Sequence, residues 1–240
     1  MKKLLFVPAL LASYCTHVSA DCPAPGAPVA ATYQVTATSA DNTETRYNMT
    51  LWRAQDRVAH QYPQSKITHL WDKAANGALH LERHFDDYGK GIEYQPLDIN
   101  GGKGDKDWSL KYQLISDQLK ERMTLVEAHT GDCGESQTYA LAGEPAFHLT
   151  WLPGPQLLEA FEVRDGENVT TWTLSDIESD PSKVAAFFEH HAQYQLTDYA
   201  DIGDNEADPF IRSMIHLGFI EHGASGVYDA DGHAIGDHQH

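Results

Sequence analysis

The sequence contains little cysteine, little positive charge and no long apolar run. Its 240 residues include three cysteines, none of them in the CxxC spacing of zinc sites and redox motifs. Seventeen lysines and arginines stand against 35 acids, which gives a formal net charge of −18. Such a charge repels phosphate backbones and anionic lipid surfaces, so we expect no nucleic-acid partner. No apolar stretch approaches the roughly 20 residues of a membrane-spanning helix, so we expect no spanning segment.

The first residues, MKKLLFVPALLASYCTHVSA, have the pattern of a cleaved secretory signal. Two lysines precede an apolar run from Leu4 to Leu11, and the small residues Ser19 and Ala20 end the segment. We therefore predict a signal peptide over residues 1–20 and a mature protein that is periplasmic or secreted, in a bacterial envelope. Removal of the segment takes away two lysines and no acid, which changes the net charge from −18 to −20.

Removal of the signal leaves two cysteines, Cys22 and Cys133. An even pair in an oxidising compartment predicts one disulfide bond between them. Its loop of about 100 residues is worth roughly 4 to 5 kcal/mol in the chain-entropy model. Two alternatives stay open. The two thiolates could bind a metal ion, although no second cysteine pair accompanies them, and Cys15 could carry a lipid, although the bulky Tyr14 precedes it.

Most of the remaining chain alternates between apolar and polar residues, as half-buried strands do. Nine runs have this character: residues 32–39, 46–54, 66–72, 78–85, 123–129, 136–143, 146–153, 158–165 and 168–177. The dipeptide Asn76-Gly77 is a hairpin signal between the third and fourth runs, and the polar stretch 164–168 is another. Consecutive strands of this kind predict an antiparallel sheet that curls.

Helix signals are fewer. The dipeptide Asp-Pro at 180–181 and again at 208–209 supplies an N-cap and a proline at the first helical position. Apolar stripes at helical spacing follow both: Val184, Phe187, Phe188 and His191 in the first, and Phe210, Ile211, Met214 and Ile215 in the second. Residues 109–122 are a third candidate.

These elements predict an α+β fold that is mainly β, with an antiparallel curled sheet like a half-barrel and about three helices packed on or beside it. We expect a β-rich domain over residues 21–198. The C-terminal helical extension and the acidic, histidine-bearing tail, residues 199–240, would pack on the same domain.

The segment PQLLEAFEVRDGENVTTWTLSDI, residues 155–177, followed by VAAFF at 184–188, resembles the half-barrel of the periplasmic carriers that deliver lipoproteins to the outer membrane. The resemblance lies in its order: a strand, a polar turn, a partner strand and a closing apolar segment. It covers about half of the chain and includes no chemical motif. It implies an incomplete barrel with an apolar cavity under helices, and a binding role without catalysis.

This reading predicts a binding protein that holds an apolar small molecule, a lipid or a protein segment in its curled sheet. Five aromatic residues in the strand runs are the candidate lining: Tyr33, Trp52, Trp71, Phe147 and Trp151. The alternative is that these rings are ordinary core, which is the more common position of aromatic residues in strands.

Catalytic motifs are absent from the sequence. It contains no GxSxG, HExxH, GxGxxG or GxxxxGK[ST] pattern, and Ser225 in HGASG lacks the spacing of a nucleophile elbow. We therefore favour a protein that is not an enzyme. A metal-dependent hydrolase with Glu82 or Glu93 as its base is the remaining catalytic hypothesis.

Histidine is abundant, at 14 residues, and it suggests a metal-binding accessory protein as the alternative function. His80, Glu82 and His84 alternate along one run, so their side chains share one face. A two-residue turn at Asn76-Gly77 would place His69 opposite His84 and Trp71 opposite Glu82. Such a set could bind Zn²⁺ or Cu²⁺. The alternatives are a merely polar, solvent-exposed face, and a change of one residue in the length of the loop, which would move His69 to the other face.

The C-terminal tail, DADGHAIGDHQH, mixes acids and imidazoles. It fails as an EF-hand in either reading frame, because the required glycine and the final glutamate do not both fit. Four side chains could form a flexible site for Cu²⁺, Ni²⁺ or Zn²⁺: His233, Asp237, His238 and His240. An acidic stretch lies upstream of the tail and contains Asp201, Asp204, Glu206 and Asp208. These side chains could supply oxygen ligands for Ca²⁺. The simpler interpretation is that Asp208 caps the helix after it and that the other acids are solvated.

Overall fold

The structure is a computed structural model that describes residues 22–99, 103–131, 133–202, 207–216, 227–228 and 234–235. The predicted signal peptide and the four tail residues proposed as metal ligands lie outside these ranges, as do Cys15, Asp204, Glu206 and Ser225. No helix in the described ranges combines the length and the apolar character needed to cross a membrane.

The described chain is mainly β, as predicted, and one unclosed sheet of 12 strands dominates it. The strands are β1 (Val29–Thr38), β2 (Glu44–Ala54), β3 (Arg57–Tyr62), β4 (Ile67–Lys73), β5 (Leu79–Phe85), β6 (Lys90–Tyr94), β7 (Thr124–Gly131), β8 (Gly134–Leu141), β9 (Ala146–Leu152), β10 (Leu157–Asp165), β11 (Asn168–Glu178) and β12 (Gln195–Asp198). Their order is β12-β6-β5-β4-β3-β2-β1-β11-β10-β9-β8-β7. All pairs are antiparallel except β12 with β6. A two-residue pair, β13 (Val227–Tyr228) and β14 (Ala234–Ile235), stands apart.

Four α-helices lie in the described ranges, with bounds α1 (Trp108–Gln113), α2 (Asp117–Arg122), α3 (Pro181–His191) and α4 (Pro209–His216), and a 3₁₀ turn spans Tyr199–Asp201. The single helix expected over 109–122 is two, because Leu114 at φ +64° ends α1 and the Ser116 hydroxyl then caps α2. Asp208 accepts a hydrogen bond from the Phe210 amide, which confirms it as a cap, and its carboxylate also lies 2.9 Å from the Lys90 ammonium.

The β4–β5 hairpin departs from the predicted register by one residue. Gly77 at φ +81° donates its amide to the Ala74 carbonyl, and the Ala74 amide donates to Ala78, so the loop has three residues rather than two. A three-residue hairpin loop of this kind uses glycine at the left-handed position. His69 therefore pairs with Arg83, and Trp71 with Leu81. The predicted pairs His69 with His84 and Trp71 with Glu82 are wrong.

Side chains alternate between two faces of the sheet, which we call the core face and the back face. The core face of β1 carries Val29, Ala31, Tyr33 and Val35, all buried, and the larger of two clusters on this face continues through β2, β9, β10 and β11. Helices α1 and α2 cover this cluster. A second cluster covers β4, β5 and β6, and α4 contributes Phe210, Ile211 and Met214 to it. On the back face, α3 packs Val184 and Phe188 against Ala59 and Leu70.

The core face also buries a small polar network. The His60 Nε2–H donates to the Lys111 carbonyl at 2.8 Å, and Arg83 Nε donates to His69 Nε2 at 3.2 Å. Lys111 itself pairs with Asp105 at 3.0 Å. Burial lowers the pKa of His60 to about 4. Burial, together with the charges of Arg83, His60 and Lys111, holds the pKa of His69 well below its ordinary value. Both rings are therefore neutral inside the protein.

The predicted disulfide is present. Cys22 and Cys133 are bonded, with Cα atoms 5.3 Å apart and a sequence separation of 111 residues. The bond fixes the residue seven positions before β1 to the loop between β7 and β8 at one end of the sheet.

Reduction of this disulfide is expected to lower the free energy of unfolding by about 2 to 5 kcal/mol, because the unfolded chain regains the freedom of a long loop. Urea unfolding of the oxidised and reduced protein measures the difference, and the Cys22→Ser, Cys133→Ser double variant is the control for side effects of the reductant. An unchanged midpoint in both comparisons would contradict a stabilising role.

Lowering the pH from 6.5 to about 4 is expected to destabilise the protein through His60. In this window the unfolded imidazole takes up a proton and the folded one does not, so the free energy of unfolding falls as the pH falls and levels off below about pH 4. The full effect of His60 is roughly 3 kcal/mol. His60→Gln keeps a donor for the Lys111 carbonyl without titrating, and urea titrations across the window should show a shallower pH slope for it. Equal slopes for both proteins would exclude His60 as a source.

Candidate functional site

The five aromatic residues predicted to line a cavity do not lie together. Tyr33, Trp71, Phe147 and Trp151 are on the core face and are buried, with at most 5% of each exposed. Trp52 is on the back face, where its ring stacks on Phe187 with centroids 4.0 Å apart. Alternation along β2 explains this position, since both neighbours of Trp52 point into the core.

Side chains from α1, α2 and the segment joining them fill the space over the larger core cluster. Leu114, Ile115, Leu119 and Met123 pack into the same cluster as Tyr33, Phe147 and Trp151. A ligand therefore reaches those rings only if the helices move away. Their role as a lining stays a prediction.

The sheet is open at its β7 end, where a pocket of about 390 Å³ lies between α2 and β8. Its lining is Asp117, Lys120, Glu121, Met123 and Tyr139. The ammonium of Lys120 lies 3.9 Å from the centroid of Trp151, at the boundary between the pocket and the core. Burial lowers the pKa of Lys120 from its ordinary value. A pocket of this volume is in the range of small-ligand sites.

Strand β7 begins directly after Met123, which lines this pocket, and all eight residues of the strand are exposed. It pairs with β8 on one side and, among the residues that the structure describes, no strand pairs with its other side. Leu125 stands opposite Tyr139, and the side chains of Leu125 and Val126 are 50% and 65% exposed. An edge strand offers unpaired backbone donors and acceptors to a further strand.

The residues predicted to bind a metal are divided between the two faces. His80, Glu82 and His84 share the back face, as expected, while His69 lies on the core face and accepts a hydrogen bond from Arg83. The same register brings Asp72 directly opposite His80. Ligand atoms of Asp72, His80 and Glu82 all lie within 4.8 Å of one another.

Each member of this back-face cluster has a further hydrogen-bond partner. His80 Nε2 lies 2.9 Å from Glu93 Oε1, and His84 Nε2 lies 2.8 Å from Glu82 Oε2. Arg57 Nε donates to Asp72 Oδ1 at 2.8 Å. Burial raises the pKa of Glu82, but the hydrogen bond from His84 and the nearby positive charges outweigh it, so the pKa lies below its ordinary value.

Sequence reasoning missed Asp72, Lys120 and the edge strand. Asp72 is an ordinary polar residue in its run, and only the one-residue change of register sets it beside His80. Leu125 and Val126 are apolar residues in a strand-like run, so the sequence predicts that they are buried. Their exposure depends on the position of β7 at the end of the strand order, which neighbouring residues in the sequence do not indicate. Residues 119–122, LKER, gave no sign that Lys120 would approach an aromatic ring from another strand.

No protein-family model matches the chain, and no curated protein does. Solved structures with a similar course include an uncharacterized conserved protein from Thermus thermophilus, with 10% identity, a TM-score of 0.43, and coverage of 72% of this chain and 91% of that one. LolA superfamily protein NE2245 from Nitrosomonas europaea has 9% identity, a TM-score of 0.34, and coverage of 68% and 91%. A Vibrio parahaemolyticus domain, assigned as an outer membrane lipoprotein-sorting protein, has 8% identity, a TM-score of 0.34, and coverage of 72% and 95%.

A LolA superfamily protein and a lipoprotein-sorting domain are thus among the solved structures to which the chain is similar, in line with the resemblance stated for residues 155–188. At TM-scores below 0.5 these likenesses carry no information on a ligand, and the function follows from the residues of this chain.

Proposed function

We propose that this protein is a non-catalytic binding protein of the bacterial envelope, and that it binds an extended apolar protein segment along the free edge of β7. The observation that carries the proposal is the exposure of the whole edge strand, with two apolar side chains in solvent beside an open pocket.

Export is part of the proposal and has two supports. The first residues of the chain have the pattern of a secretory signal. The disulfide between Cys22 and Cys133 is of the kind that persists in oxidising compartments and is rare in the cytosol. A binding partner would then be another envelope protein or an exported segment.

The free edge favours a polypeptide over a small apolar molecule. An added strand satisfies the backbone donors and acceptors of β7, which a lipid chain cannot do. Edges that stay free are usually short or protected by charges and bulges. Strand β7 has one acid, Glu127, and one bulge between Leu125 and Glu127, but it is eight residues long and keeps Leu125 and Val126 in solvent.

The charges around the edge indicate the composition of the segment. Asp117 and Glu121 outnumber Lys120 in the lining of the pocket, and Glu127 and Glu135 lie on β7 and β8. Together with the net charge of −18, they favour basic residues beside the apolar ones in a partner. The apolar side chains of such a segment would cover Leu125, Val126 and the rim of the pocket.

Binding of a fluorescein-labelled synthetic peptide, alternating valine and threonine between lysine pairs, tests the proposal. We expect saturable fluorescence anisotropy with the wild-type protein, and at least about tenfold weaker binding to the Leu125→Ser, Val126→Ser double variant, because two apolar contacts are lost. Leu97→Ser is the matched control, since Leu97 is 74% exposed and lies far along the chain from β7.

Two further probes distinguish the type of ligand. The same peptide with an N-methyl group on every residue has no backbone donor on either edge, so it cannot form the edge hydrogen bonds, and its binding should be lost if β7 gains a strand. A fluorescent fatty acid reports lipid binding. Tight binding of the fatty acid together with no binding of the peptide would overturn the proposal in favour of a lipid ligand, and equal peptide binding by the double variant would exclude β7.

A further inference from the structure

A second surface, on the back face, has the composition of a metal site. Asp72 on β4 and His80 on β5 are directly opposite each other, and Glu82 follows two residues later with its side chain on the same face. The three residues are half-buried, and one ligand atom from each lies within 4.8 Å of the other two. One imidazole nitrogen and two carboxylate oxygens thus converge on a common point.

Each of the three residues has a second potential ligand atom besides the one in the hydrogen bond described above. With Nε2 of His80 bonded to Glu93, its Nδ1 is the remaining ring nitrogen. With Oε2 of Glu82 bonded to His84, its Oε1 remains, and with Oδ1 of Asp72 bonded to Arg57, its Oδ2 remains. A carboxylate that accepts the far N–H of a histidine fixes the ring and increases its basicity, an arrangement that recurs around protein-bound metals.

The charge of the cluster suits a dication. Asp72, Glu82 and Glu93 contribute three formal negative charges, and Arg57 contributes one positive charge. The histidines add none when neutral. A net charge of this sign in a half-buried position attracts a divalent cation, which also removes the repulsion among the carboxylates.

We propose that Asp72, His80 and Glu82 bind a divalent first-row transition-metal cation, for which Zn²⁺ is the best match. Zinc accepts histidine nitrogen and carboxylate oxygen together, and three protein ligands leave its fourth position for water or a partner group. Calcium and magnesium favour oxygen ligands alone. The site differs from the one expected from the sequence, because Asp72 takes the place of His69 and because His84 is bonded to Glu82 rather than serving as a ligand.

The site lies on the opposite side of the sheet from the core and on strands remote from β7. It is therefore independent of the proposed edge binding, and either proposal can fail without the other. Measurements of Zn²⁺ affinity test the metal-site proposal, and measurements of peptide affinity test the proposal that β7 binds a segment.

The test uses the full exported chain with His233, His238 and His240 changed to asparagine, since the tail histidines would also bind metal. In this background we expect one Zn²⁺ per chain by competition with a chromophoric chelator. His80→Gln and the nearly isosteric Asp72→Asn should each weaken Zn²⁺ binding by at least about tenfold. Glu93→Gln should weaken it by about tenfold, because a neutral amide oxygen is a weaker acceptor for the His80 N–H than the carboxylate. The matched control is His148→Gln, an exposed histidine on β9 of the same sheet, which should leave the affinity unchanged.

Replacement of Zn²⁺ by Co²⁺ gives a readout that a purely structural role would not produce. A tetrahedral Co²⁺ site with nitrogen and oxygen ligands has intense visible absorption bands, and these should disappear in Asp72→Asn while the circular dichroism spectrum stays that of the parent. Absence of competitive Zn²⁺ binding in the tail variant, or equal affinities for His80→Gln and His148→Gln, would overturn the proposal.

Discussion

The three-residue turn between β4 and β5 sets the register of the two strands, and the register determines which polar side chains of β4 and β5 share a face of the sheet. Gly77 takes the left-handed conformation that the loop requires, and the strands then pair with Asp72 opposite His80. A change of one residue in this loop would exchange the two faces of β5 relative to β4. His69 would then join the back-face histidines, and the cluster of Asp72, His80 and Glu82 would not form.

The two faces of the sheet have distinct chemistry as a result of this pairing. The core face joins apolar clusters to a few buried cations and two neutral histidines, His60 and His69, which hydrogen-bond inside the protein. The back face carries α3 at its centre and, beside it, the acid and histidine cluster. The open edge at β7 is a third region, separated from the cluster by most of the sheet. The same sheet thus presents two separate surfaces to solvent, the back-face cluster and the edge of β7.

Much of the architecture followed from the sequence because most strands are long and half-buried. Nine alternating runs correspond to nine of the 12 strands that form the large sheet in the described residues, and the Asp180-Pro181 start of α3 is where the pattern placed it. The strands β3, β6 and β12 were missed. Strand β6 is short, and Gly91 interrupts its alternating pattern. A Cβ at Gly91 would lie 2.7 Å from the end of the Leu196 side chain on β12 and 3.1 Å from the Arg83 carbonyl oxygen, so a larger residue there would require both neighbours to move. The parallel pairing of β12 is not local and leaves no periodic signal.

The candidate sites were less predictable, because each depends on a relation between distant residues. His80 and Glu82 were placed on one face by alternation alone, whereas Asp72 depended on the length of one loop. Trp52 could not be assigned to a face, since apolar residues such as Leu51 and Ala54 lie on both sides of β2. The exposure of β7 follows from its position as the last strand, which only the complete strand order shows.

The register of the β4–β5 hairpin is the most direct test of this account, and nuclear Overhauser contacts between backbone protons measure it. Cross-strand contacts between Asp72 and His80, and between Thr68 and His84, are the predicted result. Direct opposition of His69 and His84, seen as an Hα–Hα or amide–amide contact between them, would contradict it, because it would move His69 to the back face and separate the three proposed ligands.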